Sequence, residues 1–402
     1  MYLTLNHPEI LLHLKGWGIG LWAVKVDGKW RLLIKTTKEM ILTAKVNEGF
    51  DLYLVPIAVA GAHSYCLMTV FFDDDDEPLA IRTPLFKNDE CTQNLFELLA
   101  NDKIDVFFFD EHDRELLSWS VTGDLSGMRA RLMGAQYFSI EHHREMLDQA
   151  GMWFGLRGSE DDAAAYPMQL VNDLFPSDFV ILDARVNQHD FHGSKKFSFT
   201  SLAREEPGAY QELDIVFLLR RVFSGDSIYL NPIKEVDGLE FVDILAVGEF
   251  NAYLIQAKDS PNTQKILRNT IQRKRTRSIA QVKEAAKQLQ GAFSFFKENP
   301  KLRFKKEGEP YLVDLTGKSV VGIIVIKEIF EDTMKEYSRV VFDLTNKSKK
   351  NVVVFDYPEL SMMTLHCPEE GLFLGAVKQI LDAAYELGEL PRLRYSGKPS
   401  AG

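Results

Sequence analysis

Cysteine is scarce in this chain: three residues in 402, Cys66, Cys91 and Cys367, far apart and without a CxxC pair. That pattern excludes a disulfide framework and predicts reduced thiols. Long apolar runs are missing as well. None approaches the roughly 18 residues that a membrane-spanning helix needs. The opening MYLTLNHPEILLHLKGW has neither the basic start nor the small-residue cleavage site of a signal peptide, so a cytoplasmic protein away from the membrane is expected. No Ser-His-Asp order and no glycine-rich dinucleotide fingerprint stands out. Gly317-Lys318-Ser319 imitates the end of a phosphate-binding loop, but Leu312 occupies the place of the required glycine, which excludes a P-loop.

What is present has the balance of a globular protein, 46% hydrophobic and 26% charged, with length for two or three domains. The formal net charge of −11 argues at first against a nucleic-acid partner. The distribution of charge points the other way. Residues 1–165 carry 15 Lys+Arg against 26 Asp+Glu, whereas the remaining 237 carry 32 of each. Within residues 258–306 there are 14 basic and 3 acidic side chains.

The first part reads as strand-rich α+β. Runs 18–25 and 30–36 flank Asp27-Gly28, a hairpin signal, and extended runs follow at 50–59, 65–72, 106–109 and 116–121. Helices are expected at 92–100 and 139–154. The five acids Asp73 to Glu77 read as a solvated turn, since adjacent carboxylates repel without converging. His142 and His143 point about 100° apart on a helix and read as surface groups. His189 and His192 lack a third ligand at recognisable spacing and read as loop residues. Polar, glycine-containing 155–165 is the natural boundary, giving units 1–160, 161–390 and a flexible tail 391–402. A helix at 164–174 and a strand at 179–184 are expected to open the second unit.

The second unit centres on 239–258. Leu239 to Val247 is an apolar run interrupted by Asp243, which by period-two alternation shares a face with Leu239, Phe241, Leu245 and Val247. Ala252 to Lys258 forms the second strand, with Leu254, Gln256 and Lys258 on one face. A four-residue loop between Val247 and Ala252 makes Asp243 and Gln256 cross-strand partners, and Lys258 comes within reach of Asp243. An acid, a carboxamide and an amine thus converge in sheet core, where an unpaired charge is costly. One reading is a satisfied salt bridge inside a sheet. On the preceding helix, 209–223, Glu212 shares the stripe of Ile215, Val216, Leu219 and Phe223 and so faces the body of the fold. After the hairpin comes the basic run Lys265, Arg268, Arg273, Lys274, Arg275 and Arg277, suited to phosphate contact. An amphipathic helix over 279–296 follows, with Gln281 and Gln288 flanking its apolar stripe. Strands at 320–327 and 351–355 and a helix at 372–387 close the unit.

Asp243 followed by Gln256-Ala257-Lys258 at the end of an apolar strand resembles the PD-(D/E)xK nuclease superfamily, in the Gln-x-Lys variant of Mrr-type restriction enzymes. The resemblance covers about residues 205–370. It implies a restriction-endonuclease-like mixed sheet flanked by helices, preceded by a separate N-terminal domain for recognition or regulation. It implies catalysis by Asp243, Gln256, Lys258 and Glu212, with Mg²⁺ or Mn²⁺ held by Asp243, Glu212, Gln256 and the Ala257 carbonyl. DNA is the partner it implies, with the basic run on the phosphates and Gln281 or Gln288 as helpers. Relatives with a glutamine in this helix carry a tyrosine four residues on, where this chain has Ala285 and Ala292. A metal-dependent endonuclease, in restriction or phage defence, is the resulting expectation. The alternative is a nuclease-like module that binds nucleic acid or a protein without cutting, and both leave room for a homo-oligomer.

Overall fold

The computed structural model describes residues 2–59, 62–306 and 309–393 and shows a mixed α/β chain built on two main sheets. The first sheet has eight strands: β1 (Gly20–Val26), β2 (Lys29–Lys35), β3 (Gly49–Val59), β4 (Ala62–Phe71), β5 (Leu79–Pro84), β6 (Lys103–Phe109), β7 (Glu115–Thr122) and β8 (Tyr166–Asp173). Their spatial order is β1-β2-β6-β7-β8-β3-β4-β5, antiparallel except where β2 runs parallel to β6. Asp27 and Gly28 take the positive φ that their turn between β1 and β2 requires. Helices Lys38–Val46, Glu90–Leu99 and His143–Gly155 cover the sheet, the first contributing Ile41, Leu42 and Ala44 to its core.

β8 corrects an expectation: within 164–174, where a helix is expected, Tyr166–Asp173 form a strand, and it pairs with β7 and β3 of the first sheet. Met168 and Leu170 are buried while Gln169 and Val171 are exposed, a period-two pattern too short to stand out against a mildly amphipathic helix. The expected strand at 179–184 shortens to β9 (Ile181–Asp183), paired with β10 (Ser198–Thr200).

The second sheet is mixed and five-stranded. Helix Gly208–Leu219 leads into β11 (Ile228–Leu230); a short β12 (Ile233–Lys234) leaves for a separate patch; then come β13 (Ile244–Val247) and β14 (Asn251–Lys258). The 28-residue helix Ile271–Glu298 crosses over to the hairpin β15 (Lys301–Lys306) and β16 (Glu309–Asp314), which β12 joins. Next are β17 (Ser319–Ile326), helix Met334–Ser348 and β18 (Asn351–Asp356), followed by helices Tyr357–His366 and Glu370–Leu387. The order is β11-β13-β14-β17-β18, antiparallel up to β14 and parallel thereafter. Helical crossovers are what parallel neighbours require.

The two sheets are not separate bodies. Leu202 and Leu267 belong to the core of the first sheet. Asp214, on helix Gly208–Leu219, takes Lys38 at 2.7 Å, Arg114 at 2.9 Å and Arg204 at 3.3 Å. These cations hold its carboxyl well below the ordinary range against the burial that would raise it. Glu39 pairs with Lys327 at 3.0 Å. The acidic stretch 73–77 is likewise no solvated turn: Asp73 pairs with Lys274 at 2.5 Å, Glu77 with Arg275 at 2.5 Å, and Asp74 accepts the Ile271 amide at 3.1 Å. A loop of one sheet therefore caps the long helix of the other, whose own Thr270 side chain makes no capping bond. The tail also departs from expectation, because Arg392 bonds Asp356 at 2.6 Å and the Leu393 amide bonds Glu359 at 2.9 Å. Residues 394–402 lie outside the described residues.

Candidate active site

The expected register is the observed one: Ile244 faces Ile255 and Val247 faces Ala252. Backbone pairing stops there. One residue earlier the Asp243 carboxylate takes over, accepting the Ala257 amide at 2.6 Å on Oδ2 and the Gln256 carboxamide on Oδ1. A side chain has replaced the backbone acceptor that a longer β13 would have offered, and this explains how a carboxylate sits buried in a strand pair. The N–H and C=O of one residue point to the same strand edge, so the Ala257 carbonyl lies on the side where β13 has ended. Gln256 turns its nitrogen to Asp243, which leaves Oε1 as its acceptor atom.

The apolar run places Leu239–Asp243 in the strand, but only Ile244–Val247 is extended. Leu239 is exposed, and Glu240 bridges to Ile233 on the neighbouring patch. This irregular approach brings the Glu240 carboxyl to Asp243, a contact that strict alternation hides because it would put residue 240 on the opposite face. Burial and then the Asp243 charge push Glu240 up to about 7. Burial also raises Asp243, against the Ala257 amide and the Lys258 charge.

Glu212 arrives from helix Gly208–Leu219, where Asn231 donates to its Oε2 at 2.9 Å. The Asn231 backbone amide bonds the Asp243 carbonyl at 2.8 Å, tying the end of β11 to the start of the hairpin. Burial raises Glu212, helped by Asp243 and opposed by Asn231 and Lys258. Glu212, Glu240 and Asp243 thus crowd one strand end, with Glu240 hydrogen-bonded to Asp243.

Lys258 stands on the same side of the sheet as Asp243. Gly322, opposite Leu254, abuts Leu289 and Phe293 of the long helix, so Leu254, Gln256 and Lys258 all face that helix. The Lys258 ammonium pairs with Glu284 of the helix at 3.1 Å rather than with Asp243, a correction to the expected partner. Gln211 donates to the Lys258 carbonyl at 3.3 Å, and Gln281 to the Asp259 carbonyl at 2.8 Å and the Ser260 hydroxyl at 3.2 Å. Gln281 therefore shapes the turn after the site, and Gln288 is exposed two turns further along. Sequence reasoning missed Glu240, Asn231 and Glu284.

The basic run divides. Lys274 and Arg275 are not free for nucleic acid, since they hold Asp73, Glu77 and, at 2.8 Å from Arg275, Asp332. Lys265, Arg268, Arg273 and Arg277 are exposed. His189 is buried beside Phe217, His192 stacks on Tyr229, and Lys318 holds the hairpin turn through the Gly248 and Glu249 carbonyls at 2.8 and 2.7 Å. No group of three or more metal-ligating side chains is close enough among the described residues to hold an ion as the side chains stand. No described helix is long and apolar enough to cross a membrane.

No protein-family model matches the chain, and neither a curated protein nor a solved structure matches it.

Proposed function

We propose that the chain is a metal-dependent nuclease that hydrolyses DNA phosphodiester bonds at the Asp243–Lys258 strand end. The observation that carries this reading is the Asp243 carboxylate, held by Gln256 and the Ala257 amide, with Lys258 on the same face and two further carboxylates crowded beside it. A merely structural salt bridge would pair Asp243 with Lys258. Here the lysine turns to an exposed partner and Asp243 is left beside Glu212 and a hydrogen-bonded Glu240. The helix-strand-strand-strand-helix-strand order, with β17 parallel to β14, supports a restriction-endonuclease-like arrangement of this sheet.

The donor set fits Mg²⁺ or Mn²⁺: Asp243, Glu212, Glu240, the Gln256 Oε1 and the Ala257 carbonyl are all hard oxygens. When bound, such an ion supplies an activated water and offsets charge on the phosphoryl group. The protein does the rest. Gln256 and the Ala257 amide fix the Asp243 carboxylate in place, Asn231 orients Glu212, and Glu240 hydrogen-bonds Asp243. Lys258, drawn from Glu284 by an incoming phosphate, donates to the oxygen on which charge develops.

Incubation of the full chain with plasmid, linear and single-stranded DNA in Mg²⁺ or Mn²⁺ tests the reading. Cleavage that stops with EDTA, falls below detection in Asp243→Asn and drops about 10²–10³-fold in Lys258→Met is expected. Intact DNA under every combination would leave the non-cutting binding module instead.

A further inference from the structure

A cavity of 330 Å³ opens between the two sheets, beginning at Ser260, two residues past Lys258. Its size is at the lower end of the roughly 300–1,000 Å³ of small-molecule sites. Its floor is apolar, with Met40, Leu267, Ile329 and Phe330 buried. Its charges are not balanced. Three of its carboxylates each have a cation: Asp73 has Lys274 at 2.5 Å, Glu39 has Lys327 at 3.0 Å and Asp356 has Arg392 at 2.6 Å. A fourth acid, Glu328, is pushed up to about 8 by burial and then by the Asp73 charge, and even with it the lining holds five cations against four acids. Arg273 and Arg277, one turn apart on the long helix, line the mouth and make no ion pair among the described residues. The cavity therefore carries an excess of positive charge at an exposed rim above an apolar floor that includes an aromatic ring.

We infer that this cavity is a nucleotide-binding site, taking the base against Phe330 and Ile329 and the phosphate at Arg273 and Arg277. An arginine pair matches phosphate oxygens in geometry and charge, and a planar base gains from stacking on an aromatic side chain. One chemistry, a nucleoside monophosphate unit, has two sources: a free nucleotide, or the phosphorylated end of a strand threading toward Lys258. The inference does not require the chain to cut, because binding is measured by itself.

Calorimetric titration of the full chain without divalent metal decides it. AMP, GMP, CMP and UMP are titrated one by one, then a single-stranded oligonucleotide with and without a 5′-phosphate. Binding of a mononucleotide identifies the free ligand as sufficient; binding of the 5′-phosphorylated oligonucleotide alone identifies the strand end. In either case the doubly substituted Arg273→Glu, Arg277→Glu chain is expected to weaken binding about tenfold or more. Both arginines are exposed, so the fold is retained, and Lys347→Glu, on a separate groove beside Lys283 and Lys287, is expected to change nothing. No binding by any probe, or equal loss in the Lys347 variant, overturns the inference. Nucleotide binding with no DNA cleavage would uphold it while removing the nuclease reading.

Discussion

At the scale of single residues, the site turns on which partner each polar group takes. Asp243 is legible because a carboxylate inside an apolar run must have a reason, and the loop length alone sets Gln256 as its partner. Glu240 was not legible, since alternation assigns it the wrong face once the backbone leaves the strand. Glu284 was hidden for another reason: a surface glutamate on a long helix looks solvated until the neighbouring strand presents a lysine. The Lys258–Glu284 pair makes a prediction of its own. The pair is partly exposed, so its worth is about 0.2–1 kcal/mol. Glu284→Gln should therefore lower the DNA concentration for half-maximal cleavage roughly two- to fivefold with little change in denaturation midpoint. An unchanged or raised value would show that Glu284 does not restrain Lys258.

At the scale of elements, the long helix Ile271–Glu298 joins the two halves. Its apolar stripe of Val282, Leu289, Phe293 and Phe296 was readable from spacing alone, as were β17, β18 and the last helix. Its basic first turns were not, because a run of cations announces a negative partner without saying which. Part of that partner is the chain's own acidic loop. Sequence shows two complementary charge runs far apart along the chain, and only the fold decides that they meet. Asp74→Ala removes the cap supplied from across the interface and should cost about 0.5–2 kcal/mol in chemical denaturation. If stability is unaffected, the helix start needs no help from the first sheet. β8 escaped the sequence reading for a related reason: its strand pattern is short, and only insertion between two other strands makes its exposed half tolerable.

At the scale of the whole molecule, charged groups fill the contact between the sheets and tie their union to pH. Glu111 is buried there with Oε2 unpartnered among the described residues, and burial, with Asp110 adding to it and Lys38 opposing, pushes its carboxyl up to about 8. A folded-state value above the unfolded one means the folded chain binds the proton more tightly. This group's contribution is therefore present in acid and is lost as pH rises from about 4.5 toward 8. Glu111→Gln should flatten that decline, by at most about 1.4 kcal/mol for each pH unit spanned, in denaturation series at matched ionic strength. An unaltered slope would assign the decline elsewhere. The strand order of the first sheet carries a different consequence. β8 links the β1-β2-β6-β7 group to the β3-β4-β5 group, yet it is the last of the eight to be made. During synthesis the earlier strands must wait as two incomplete halves with open edges until residue 173 emerges, and a chain cut at the glycine-containing stretch before it would keep those edges exposed for good.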